Sequence, residues 1–114
     1  MMTVEALKAY GANTAEGLTR CMNNEGFYLR MVGMGLNDPN FQKLGDAVTA
    51  GDVKEAFEAA HALKGVTGNL ALTPLYEPLC VLTEALRGKD EMADVSALLT
   101  QVMDQLEKAR ALNA

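Results

Sequence analysis

Asp52 to Leu70, DVKEAFEAAHALKGVTGNL, is the stretch from which the rest of the chain can be read. Asp52, with Glu55 three residues on, is an acidic form of the capping box that opens a helix. At about 100° per residue, Ala56, Ala59, Leu63, Val66 and Leu70 fall on one side and make a stripe suited to a core. His61 falls on the opposite side. Lys54, Phe57, Lys64, Gly65 and Gly68 share that side with it, so the one histidine of the chain faces away from the expected core.

The helical period continues on both sides of this segment. Upstream, Asp38-Pro39 is a cap with proline at the first helical position, and Phe41, Leu44 and Val48 repeat until Gly51. Before that, Asn24 caps a segment whose apolar stripe is Phe27, Met31 and Met34 at i, i+4 and i+7, with Gly33 and Gly35 weakening its end. Two short helices are expected first: Val4 to Tyr10 between Thr3 and Gly11, then Thr14 to Met22. Downstream, Thr73-Pro74 opens a helix with Leu75, Leu79, Leu82 and Leu86 inward, bent by Pro78 and closed by Gly88. A last helix is expected from Met92 to Ala111, with Val95, Leu98, Leu99, Val102, Leu106 and Ala109 as its stripe. No window alternates with period two. The expected fold is all-α, an antiparallel four-helix bundle with short N-terminal covering helices, as one domain over residues 1–114.

Composition narrows the function. Of 114 residues 49% are hydrophobic and 22% charged, an ordinary globular balance. The formal charge of −5 argues against a nucleic-acid binder. Met1-Met2-Thr3-Val4-Glu5 lacks the basic flank and apolar stretch of a secretory signal, and no apolar run approaches the roughly 20 residues that span a bilayer. Neither membrane nor nucleic acid is therefore an expected partner. Cys21 and Cys80 show no metal-ligand spacing and read as reduced, buried thiols of a cytoplasmic protein.

The chemistry concentrates around His61. A solvent-facing imidazole is largely neutral near pH 7, with a nitrogen lone pair free to attack. Lys64, one turn on, can set an ammonium beside an added phosphoryl group. Gly65 and Gly68 each cost about 1 kcal/mol relative to alanine inside a helix, which suggests that something bulky approaches the backbone there. Each residue also has a plainer reading. A lone histidine can be surface decoration, Lys64 a solvated charge, the glycine pair a seat for a neighbouring helix, and Phe57 a contact for the N-terminal helices.

Taken together, Ala60-His61-Ala62-Leu63-Lys64-Gly65-Val66-Thr67-Gly68-Asn69-Leu70, followed by Leu75, Leu79-Cys80 and Leu82, resembles the histidine-containing phosphotransfer (HPt) domain. Gly17-Leu18-Thr19-Arg20 and Asn24-Glu25-Gly26-Phe27-Tyr28-Leu29 look like the opening of a bacterial member, so the resemblance covers nearly the whole chain. It implies a bundle that shuttles phosphoryl groups to and from receiver-domain aspartates, with His61 phosphorylated and Lys64 stabilising the charge. Gly65 and Gly68 would give the receiver room to dock. The implied partners are response-regulator receiver domains and a sensor histidine kinase, and the implied state is a monomer. Two departures stand out: Ala71 where many members have glycine, and Thr83 where a carboxylate or amide often orients the histidine ring.

On this reading the chain is a carrier and not an enzyme. It has no Gly-rich phosphate loop and no carboxylate cluster for Mg²⁺, so it needs no cofactor of its own and Mg²⁺ is expected in the partner receiver. Docking is expected on the His61 face, with Phe57 or Leu72 as apolar contacts and Lys54 and Lys64 as a basic spot. Two alternatives stay open here: a bundle of the same fold that only binds a partner, and a small hydrolase or metalloprotein using His61.

Overall fold

The computed structural model describes residues 1–113. Among them the regular structure is helical throughout: α1 Val4–Tyr10, α2 Thr14–Arg20, α3 Glu25–Leu36, α4 Asn40–Ala50, α5 Val53–Asn69, α6 Thr73–Leu86 and α7 Ser96–Ala111. Short connections force α4, α5 and α6 to run antiparallel, each packed on the next, and α7 packs on α6. Met103 of α7 comes up to Gly45 of α4 and closes the bundle. Leu44, Leu63, Leu75, Leu79, Leu82 and Val102 are fully buried at its centre. Burying each is worth roughly 1.5–3 kcal/mol, so the stripes outweigh the helix-weakening glycines.

The N-terminal helices cover the end of the bundle where α5 turns into α6. The Asn13 N–H donates to the Ala71 carbonyl at 2.9 Å, and the Tyr28 hydroxyl donates to the Leu70 carbonyl at 2.9 Å. Gly17 is where the Tyr28 ring crosses α2: a Cβ there would lie 2.5 Å from Tyr28 Cε1. On the α7 side, the Tyr10 hydroxyl donates to the Gln105 carbonyl at 3.1 Å, and the Arg110 guanidinium donates to the Leu36 carbonyl at 2.7 and 2.9 Å.

Three boundaries or faces differ from the sequence reading. The second helix stops at Arg20 and not at Met22, because Met22 and Asn23 both take left-handed backbone (φ 55° and 56°) and Met22 points into solvent. In α3 the buried face is Tyr28, Val32, Gly35 and Leu36, while Phe27 and Met34 are exposed. Apolarity alone marked the wrong stripe, since a tyrosine with a buried acceptor and a glycine seated on Leu70 and Val66 hold the inner face. The last helix starts at Ser96, four residues later than expected, because the Asp94 carboxylate accepts from the Ser96 N–H at 3.2 Å and its hydroxyl at 2.6 Å. Those bonds also hold the Asp94 carboxyl below its ordinary value. Pro78 is buried in α6, which continues through it.

Candidate functional site

His61 sits at the middle of α5, and the helix around it is locally well specified. The Asp52 side chain accepts from the Glu55 N–H at 3.1 Å and starts α5 as the capping pattern expects. Ala56, Ala59, Ala60, Leu63 and Thr67 are buried, which turns His61 outward into solvent. At the other end the Leu72 N–H reaches the Thr67 carbonyl at 2.9 Å and the Ala71 N–H reaches that of Gly68 at 3.1 Å. With Ala71 at φ 57°, this is a Schellman closure.

That closure corrects one expectation and explains another. Leu72 is fully buried as the apolar anchor after the helix end, so it offers nothing to a docking surface. Ala71 occupies a left-handed position where glycine is unstrained and an L side chain costs about 1–2 kcal/mol.

The two glycines near His61 have different jobs. A Cβ on Gly65 would meet nothing within 4 Å, so no internal packing accounts for its bareness. A Cβ on Gly68 would lie 2.9 Å from Tyr76 Cε1 and 3.2 Å from Tyr76 Cδ1. Gly68 therefore gives clearance to Tyr76 of α6, which accounts for its bareness without a docking partner. Its carbonyl also accepts from the Arg20 guanidinium, which pairs with Glu16 on the same short helix. These residues surround a groove of about 610 Å³ between α2, α5 and α6, with His61, Lys64, Gly65, Tyr76, Arg20 and Glu16 in its wall. A hydrogen bond with the Cys80 thiol raises the pKa of Tyr76, while Arg20 acts in the opposite direction. Cys80 is half-buried and Cys21 buried, both free thiols.

Phe57 packs at the rim of the core, half-buried. Its ring is stacked on the His61 imidazole, centroids 5.7 Å apart and planes 9° from parallel. The Arg87 guanidinium lies over the same phenyl ring, 5.1 Å from its centroid. Arg87 in turn donates from Nε to both Glu84 carboxylate oxygens at 3.1 and 3.2 Å. That hydrogen bond chiefly holds the Glu84 carboxyl below its ordinary value, and the charges of Arg87, Lys64 and His61 act in the same sense. Glu84, Arg87, Tyr76 and Arg20 escaped the sequence reading because they lie on other helices. Only the i, i+3 spacing of Glu84 and Arg87 hinted at an ion pair.

Two more expectations change. Thr83 is fully buried and its hydroxyl donates to the Leu79 carbonyl at 2.6 Å, so it is turned into the bundle and does not orient His61. Lys54 and Lys64 are ten residues apart on one helix, about 15 Å along its axis, and do not merge into a single basic spot. Lys64 is the nearer cation, half-buried one turn from His61 and outside the three ion pairs of the described residues. Among the described residues no group of three or more His, Cys, Asp or Glu side chains is arranged to hold a metal ion, and no helix is long and apolar enough to cross a membrane.

Comparison with known proteins follows the same lines. The Hpt domain family model matches residues 37–112, which contain α4 to α7 with His61 and its neighbours. No curated protein and no solved structure matches the chain.

Proposed function

This chain belongs to the Hpt domain family, whose members act in phosphorelays as histidine phosphotransfer carriers and not as enzymes, and from that premise we propose that His61 carries the phosphoryl group. One observation supports this most directly: the imidazole is exposed at mid-helix beside a glycine with no internal reason to be bare. A receiver domain can then bring its aspartyl phosphate down to the helix backbone at Gly65. A nitrogen lone pair of His61 attacks phosphorus. The new P–N bond forms as the P–O bond to the aspartate breaks, and the electron pair leaves with the carboxylate. The reverse step loads another aspartate.

Such transfer needs positioning and charge stabilisation more than covalent machinery. Lys64 supplies the ammonium beside the added phosphoryl group. The Glu84 carboxylate would repel that group, but its pairing with Arg87 offsets the charge. The receiver brings the aspartyl phosphate and its Mg²⁺, so the carrier needs no cofactor of its own. A sensor histidine kinase stands upstream, and the carrier works as a cytoplasmic monomer. Docking uses the exposed α5 face with Phe57 at its edge, and Lys54 lies two turns away as a peripheral charge.

The test is to incubate the purified chain with a panel of phosphorylated receiver domains and measure acid-labile label. Label that is lost in His61→Gln is the expected result. No label, from receivers that do phosphorylate a known acceptor, would refute the carrier role.

A further inference from the structure

We propose that Phe57 is a positioning residue for His61, and that Arg87 braces it; this rests on the reading of His61 as the phosphoryl acceptor. The i, i+4 spacing brings the two rings together, because side chains on a helix lean towards its N-terminus and His61 leans over Phe57. The near-parallel stack at 5.7 Å is the result. Phe57 is half-buried, whereas the adjacent Ala56 and the inward Ala59, Ala60 and Leu63 are buried outright, so its ring sits at the rim of the core with one face for the histidine.

The geometry suits a nucleophile that must be held without being used up. Imidazole lone pairs lie in the plane of the ring. An offset, near-parallel contact with a ring that carries no polar atom therefore restrains rotation about the side-chain bonds while making no hydrogen bond to either nitrogen. The Arg87 contact plays the lesser part: its guanidinium is already paired with Glu84, so its charge towards a phosphoryl group is largely cancelled. What remains is a planar cation resting on the phenyl ring, tying the end of α6 to the middle of α5. An aromatic stack of this kind biases the bound orientation roughly two- to tenfold, and transfer rate follows the fraction of imidazole already in the attacking geometry.

Because the chain has a single histidine, its imidazole protons give one unambiguous set of NMR signals. In the wild type they should show ring-current shifts and nuclear Overhauser contacts to the Phe57 ring. Phe57→Leu should abolish both and lower kcat for transfer from a phosphorylated receiver roughly two- to tenfold, separately from any rise in KM that the lost docking contact brings. Phe57→Tyr, which keeps the face, should restore both. Should Phe57→Leu fail to fold, Arg87→Gln is the second variant, expected to weaken the contacts and lower kcat about twofold. A folded Phe57→Leu chain with wild-type kcat, or with a raised KM alone, overturns the positioning role. A wild-type chain that takes no label overturns the carrier reading itself.

Discussion

Gly65 and Gly68, three residues apart on one face of α5, should respond unequally to the same substitution. Alanine at either position gains about 1 kcal/mol of helix propensity. At Gly65 nothing opposes that gain, since a Cβ has no neighbour within 4 Å. Gly65→Ala should therefore stabilise the chain by about 1 kcal/mol, or roughly 3–5 °C in Tm for a domain of this length. At Gly68 the new Cβ falls 2.9 Å from Tyr76 Cε1 and 3.2 Å from Cδ1, closer than carbon atoms can rest. Tyr76 is half-buried, and turning its ring off its rotamer costs about 0.5–1.5 kcal/mol, so Gly68→Ala should lie that far below Gly65→Ala in stability. Urea unfolding followed by far-UV circular dichroism measures both. In a Tyr76→Ala background the penalty should vanish and Gly68→Ala should stabilise as Gly65→Ala does, a coupling read from a double-mutant cycle. Equal stabilisation by the two single substitutions would refute the assignment of Gly68 to internal clearance.

Ala71→Gly should stabilise the fold by about 0.5–1 kcal/mol in the same unfolding assay, because relief of left-handed strain exceeds the extra entropy of glycine in the unfolded chain. Lys64→Ala should leave the circular dichroism spectrum unchanged and slow receiver-dependent labelling roughly tenfold, equivalent to about 1.4 kcal/mol of transition-state stabilisation; equal rates would remove Lys64 from the mechanism. Burial pushes the Tyr10 hydroxyl up to about 12, against about 10 when exposed. The folded form thus holds its proton more tightly. Stability should be fully present below about pH 10 and decline as pH rises towards 12, and Tyr10→Phe should flatten that slope in urea midpoints, leaving the contributions of Tyr28 and Tyr76, which act in the same direction.

Much of the fold was legible along the chain because it is written in local rules. Asp52 with Glu55, Asn24, Gly11 and Gly51 act as caps where the pattern expects them, and the leucines of α6 and α7 face inward at the helical period. The orientation of His61 followed from the same period, since one buried stripe on α5 leaves only one direction for the opposite face. Local rules failed where a polar side chain competes with apolarity. Asp94 sets the start of α7 through its own hydrogen bonds, and Tyr28 belongs to the core because Leu70 supplies an acceptor there.

The sequence by itself determined the helices, the exposed histidine and the lysine one turn from it, because residues three and four apart on a helix have no choice of neighbour. Only the tertiary structure decided what each residue of that face does. Gly65 opens to solvent while Gly68 yields to Tyr76. Leu72 closes the helix, Thr83 turns inward, and Arg87 reaches Phe57 across thirty residues of chain. Those outcomes depend on how α2 and α6 are packed against α5, and the distances that decide them, a few tenths of an ångström at Gly68, belong to packing between helices and not to any periodicity within one.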